Sequence, residues 1–144
     1  MLFLGHVGPA VFSGAGLKLP LAAVAFFSLF PDLVDKPLFA LGFTPYPRFI
    51  AHSVLVLAAV VLVVHAFSRE LGAAAFVGCG LHLLLDFNGF LPLFYPFVQY
   101  SFPSSTWPYA PALNLLSLSF EVIGGLLLVA ARLESPGDKL WFGF

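Results

Sequence analysis

The segment SLFPDLVDKP, residues 28 to 37, places Asp32 and Asp35 three apart behind Pro31, in a stretch otherwise almost free of charge. Carboxylates close to lipid are costly, so they are rare, usually paired and usually functional. A second constellation is HLLLD, residues 82 to 86, where His82 and Asp86 are four apart and share one helix face. Imidazole plus carboxylate is the donor mixture of zinc and similar divalent ions. The same pair could also satisfy itself as a polar pair inside a helix bundle. His52 ends RFIAH and His6 lies in GHVGP. Arg48 sits four residues before His52, one helical turn away, where a guanidinium can grip a phosphate by two parallel hydrogen bonds or serve as a snorkelling interfacial anchor. Lys36 and Arg48 could instead neutralise the acids in a pure ion-pair network.

Such a site needs elements to hold it. The chain has 144 residues, the size of one domain spanning 1–144. It is 60% hydrophobic and 9% charged, with a mean hydropathy of +1.01. A soluble domain carries about a quarter charged residues, so an integral membrane protein is expected. A formal net charge of -1 speaks against nucleic acid as a partner, since that needs clustered Lys and Arg. Cys79 is the single cysteine, which excludes an intrachain disulfide, and its type favours a small buried hydrophobe. No Lys or Arg precedes Lys18, so the first seventeen residues lack the basic start of a signal peptide.

Charges and prolines divide the sequence into five apolar stretches: Met1 to Leu17, Leu19 to Pro31, Phe49 to Ser68, Leu71 to Leu85, and Pro111 to Ala131. The second runs on through LVDKPLFALGF, with breaks expected at Pro31 and Pro37, Pro31 favouring the first turn of a helix that carries both aspartates. The fold expected is an all-α polytopic membrane bundle of about five transmembrane or membrane-embedded helices. The segment NGFLPLFYPFVQYSFPSSTWPYAP is dense in proline and aromatics and reads as irregular chain at the interface. If all five stretches cross, Asp32, Asp35, Arg48, His52, His82, Asp86 and His6 converge on one face, from four separated segments. His65, thirteen residues beyond His52 and roughly 20 Å further along a helix, falls on the other face and is expected to be structural. Lys18, Arg69, Arg132 and Lys139 mark that other face as cytoplasmic, which puts the site outside. Glu121 is deep in the last stretch, where it either hydrogen-bonds towards the site or pairs with a helix neighbour.

The ordered pieces GHVGPAVFSG, FPDLVDKP, RFIAHS and HLLLDFNGFLPLFYPF resemble the membrane-bound, metal-dependent hydrolases of the LexA-binding, inner-membrane-associated type. Those hydrolases often have a histidine where this chain has Lys36, and a His-Arg-Gly-x-Thr run of which only Arg48 remains, flanked by Pro47 and Phe49. A fainter similarity reaches the soluble zinc phospholipase C and nuclease group, through the order His, Asp, His, then His-x-x-x-Asp. The resemblance implies hydrolysis of a lipid-linked phosphoester or related ester, with a lipid-like substrate met at the surface of a bacterial or archaeal cytoplasmic membrane. The expected ligands of one or two divalent ions, zinc first, are His6, Asp35, His52, His82 and Asp86. Asp32 is expected either to ligate or to orient and deprotonate a water, and Arg48 to bind developing negative charge. Two other classes stay open: a non-catalytic metal-binding regulatory membrane protein, and an ion transporter, which should show polar groups through the full thickness. Self-association stays open too.

Overall fold

The computed structural model describes residues 3–87, 91–102 and 115–134. They form five helices and no strand: α1 (Phe3–Gly16), α2 (Leu21–Ala40), α3 (Val54–Phe67), α4 (Arg69–Leu85) and α5 (Leu115–Glu134). The all-α, five-helix expectation therefore holds for the described residues. Among these helices α5 alone is long and apolar enough to cross a membrane, at 20 residues and a mean hydropathy of 1.8. α3 is as apolar as a span but has 14 residues, about 21 Å of helix against a hydrocarbon core of about 30 Å.

α1 lies between α5 on one side and α2 with α4 on the other, and α4 carries α3 on its outer flank. Small residues let these backbones meet. Gly8 of α1 and Gly124 of α5 face each other so closely that a Cβ on either would overlap the opposing main chain. Gly78 of α4 meets α2 the same way, where an added Cβ would stand 2.7 Å from the Val24 carbonyl oxygen. Val7, Val11, Ala15, Leu21 and Ala131 form one apolar core cluster, and Ala10, Val24 and Ala74 the other.

Two local expectations fail. α2 is one continuous helix through Pro31 and Pro37, so both aspartates sit in its interior and Pro31 does not begin it. Proline lacks the N–H that would pair with the carbonyl four residues back, and here Cys79 Sγ stands 3.4 Å from that freed Phe27 carbonyl. Past the Leu41 C-cap of α2 the chain turns at Gly42, whose φ of 78° a side chain would resist, with Phe43 N–H donating back to the Leu38 carbonyl at 2.9 Å. The other correction concerns α3, expected from Phe49. Residues 41–53 are turns and bends, and α3 starts at Val54, capped by Ser53, whose hydroxyl accepts from Leu55 N–H. Arg48 and His52 are therefore not one helical turn apart. Residues 91–102 of the aromatic segment are irregular as expected; the rest of that segment, and Lys139, lie outside the described residues.

Candidate metal centre

His82 closes the last turn of α4 and Asp86 is its C-cap. The i, i+4 spacing holds, with His82 Nε2 3.5 Å from Asp86 Oδ2. Asp32 and Asp35 come from the middle of α2, His52 from the segment before α3, and His6 from the first turns of α1. Asp32, His52, His82 and Asp86 each offer one donor atom, all four within 4.8 Å of one another.

Orientation decides what those atoms are. His52 Nδ1 lies 2.8 Å from Asp35 Oδ2, a carboxylate oxygen, so the ring nitrogen there carries the proton. His82 Nδ1 lies 2.6 Å from the Ser28 carbonyl oxygen, in the turn preceding Pro31, and is a donor for the same reason. Each neutral ring is thereby left with a bare Nε2, and the two Nε2 atoms are 3.2 Å apart. Asp86 Oδ2 stands 3.6 Å from His52 Nε2 and has no hydrogen-bond partner, although it is buried. Asp32 Oδ1 is 3.7 Å from His52 Nε2. Four lone pairs are thus aimed at one point, which is stable only with a cation among them, a proton or a metal ion. A tetrahedral zinc site with bonds of about 2.0–2.1 Å has its donor atoms about 3.3 Å apart. The donors present fit such an ion.

Asp35 has another task. Its carboxylate accepts from Phe49 N–H at 2.6 Å, Ala51 N–H at 3.0 Å and His52 N–H at 3.2 Å, besides holding the His52 ring. This is why this segment is not helical: the amides of Phe49, Ala51 and His52 turn to a carboxylate on α2 instead of to carbonyls of their own segment. The expectation of Asp35 as a ligand is not met, while the place of Asp32 suits either of the roles expected for it. Asp32 reaches the donor cluster and Asp35 orients one of its rings.

His6 is near the cluster but outside it. Its ring stacks on His82 at 4.3 Å between centroids, Nε2 is 3.5 Å from Asp86 Oδ1, and both ring nitrogens are buried without a hydrogen bond. Asp86 Oδ1 also accepts from Arg48 Nη2 at 3.1 Å. The structure brings His6 and Arg48 to the same carboxylate oxygen. Burial by itself pushes the His52 imidazolium down, yet Asp35 and Asp86 outweigh it and raise its pKa above the ordinary value. Burial likewise opposes the charge on Asp86, and His52 and Arg48 still hold it well below the usual carboxylate range.

Cys79 and His65 stay out of the donor cluster, as expected. Glu121, which the sequence left undecided, pairs with a neighbouring helix: its carboxylate accepts from Leu4 N–H at 2.7 Å and Gly5 N–H at 3.0 Å, capping α1 one residue before His6. Ser28 is a positioning residue missed from sequence, since it acts through its backbone carbonyl. Ser53 was missed as well; its hydroxyl reaches the carbonyls of Leu93 at 3.2 Å and Tyr95 at 2.7 Å and ties the aromatic segment beside His52.

Residues 1–141 match the model of the YdjM inner membrane protein family. The chain belongs to that family. No curated protein and no solved structure matches it. Membership of an inner-membrane family agrees with the apolar composition and with α5, and it carries no statement about chemistry.

Proposed function

We propose that the protein is a polytopic inner-membrane hydrolase that uses a divalent ion, zinc first, to cleave a lipid-linked phosphoester or related ester. The observation that carries the reading is the set of four converging lone pairs on His52, His82, Asp32 and Asp86, with both imidazole tautomers fixed from behind. A bound ion would lower the pKa of a water and polarise the scissile group. The chain's own residues divide the remaining work. His52, His82 and Asp86 are buried and hold the ion; Asp32, 14% exposed, stands on the open side and takes the proton from the attacking water. Arg48 lies against Asp86 with its Nε buried and unpaired, and that spare donor meets the charge that develops on the substrate.

An amphipathic substrate suits the surroundings. A groove of about 470 Å³ runs along α3, lined only by Leu55, Val56, Ala59, Val60, Val63, Val64 and Pro96, and it begins within a turn of His52. An acyl chain laid there leaves a head group at the polar end of the helix. The competing reading is a regulatory protein with a closed structural metal site, in which Asp32 is simply the fourth ligand. Asp32→Asn separates the two. The hydrolase reading expects metal to be retained and release of phosphate or head group from phospholipids and isoprenyl phosphates to be lost. Metal loss from Asp32→Asn comparable to that from His82→Ala supports the closed site.

A further inference from the structure

Lys36 and Arg48 each stand against a different carboxylate of the centre, one from α2 and the other from the segment before α3. Lys36 Nζ is 2.5 Å from Asp32 Oδ2, and Arg48 Nη2 is 3.1 Å from Asp86 Oδ1. In both cases the cation holds the outer oxygen, while the inner ones, Asp32 Oδ1 and Asp86 Oδ2, face His52. The two cations are also the most exposed members of the cluster, at 47% and 22%, against 14% for Asp32, 3% for Asp86 and 0% for His52 and His82. A solute approaching from the open side meets an ammonium and a guanidinium first. Arg48 Nε has no partner, so the guanidinium has an unused N–H.

An i, i+4 pair such as Asp32 and Lys36 is common on helices and worth little by itself. It does not account for a second cation from a different segment, placed the same way on the second carboxylate. Charge adds a condition. Asp32, Asp35 and Asp86 outnumber Lys36 and Arg48 by one, so with neutral imidazoles the cluster is net negative and repels an anion. A divalent ion among the donors makes it net positive by one.

We propose that Lys36 and Arg48 form a two-sided clamp for a phosphoryl anion, with Lys36 as a specificity residue, and that the clamp binds only when the ion is in place. This rests on the metal reading above. Each cation can turn from its carboxylate oxygen to a non-bridging phosphoryl oxygen, Arg48 through Nε and Nη2 in the bidentate manner guanidinium favours. Binding of ion and anion is then reciprocal, each raising the affinity for the other.

The test uses the full chain in detergent, loaded with cobalt(II), whose visible absorption reports both occupancy and a change at the ion. Inorganic phosphate, and separately phosphatidate in the micelle, are titrated into wild type, Lys36→Met, Lys36→Arg and, as a control at the far end of α1, Lys18→Gln. The expected result is cobalt retained throughout, and phosphate affinity lowered about tenfold or more in Lys36→Met, the scale of one charge-assisted hydrogen bond. Lys36→Arg should recover most of it, Lys18→Gln should match wild type, and metal-free protein should not bind phosphate. Phosphatidate binding more tightly than phosphate identifies a lipid head group as the source of the anion; equal affinities identify free phosphate; either supports the clamp. Cobalt bound with phosphate affinity indifferent to Lys36 overturns the clamp and leaves the metal centre standing. Wild type that takes up no cobalt overturns both.

Discussion

Asp32 and Asp35 are three positions apart on one helix, yet one carboxylate keeps a water-facing edge and the other is fully enclosed. Their types and the convergence of both with His52, His82 and Asp86 are readable in the sequence, because residue spacing on apolar stretches places each near one face. Their roles are not. They depend on where the amides of residues 49–52 point, and nothing in RFIAH announces that a carboxylate on another helix will collect them. Asp35→Asn tests the assignment. Asparagine keeps the shape but loses one acceptor and the charge, and its NH₂ group opposes donors already present. The expected outcome is a drop of about 3 kcal/mol or more in stability, the scale of breaking a buried charged pair. Metal affinity should fall about 10- to 100-fold through the freed His52 ring. Thermal unfolding in detergent and a metal titration read both, and wild-type affinity in Asp35→Asn contradicts the role given to Asp35.

The element most informative about assembly is α5. It packs on α1 alone among the helices with substantial contact, and joins it by two means: the Gly8/Gly124 approach and the Glu121 carboxylate on the first-turn amides of α1. A carboxylate at a helix N-terminus satisfies orphan donors and meets the positive end of the helix dipole. Glu121→Ala should therefore lower stability by about 1–2 kcal/mol, with Glu121→Gln recovering much of it because an amide oxygen still accepts. Equal stability of the alanine variant and wild type contradicts the capping role. The five helices were legible from apolar stretches bounded by charge. The continuity of α2 was not, since prolines are read as breaks, and here the freed Phe27 carbonyl finds Cys79 instead. Nor was the late start of α3, where apolar Phe49 and Ile50 extend the pattern without being helical.

At the scale of the whole molecule, polar groups share the interior with the apolar core while many large apolar side chains are exposed. The buried set includes His6, Ser28, Asp35, His52, Ser53, His82 and Asp86, while Phe67, Phe76, Leu62, Leu84, Leu115 and Leu126 are each at least 65% exposed. Apolar surface on that scale needs a cover, and for a member of an inner-membrane family we propose that lipid supplies it. The orientation expected from the sequence, with the site on the outer face, has its own check. Leu41 is 70% exposed at the end of α2 nearest Asp35 and Lys36. In a Cys79→Ala background, Leu41→Cys should react with a membrane-impermeant maleimide in intact cells or spheroplasts, and labelling only after lysis would reverse the orientation.

The central claim is that the four lone pairs converge for a metal ion and not for a shared proton. Elemental analysis of the purified full chain tests it most directly. The account predicts about one zinc or similar divalent ion per chain, lost from His82→Ala/Asp86→Ala and retained in His65→Ala, whose ring lies near the far end of α3. Wild-type protein that neither carries nor takes up a divalent ion, or a double variant that keeps its full complement, would contradict it.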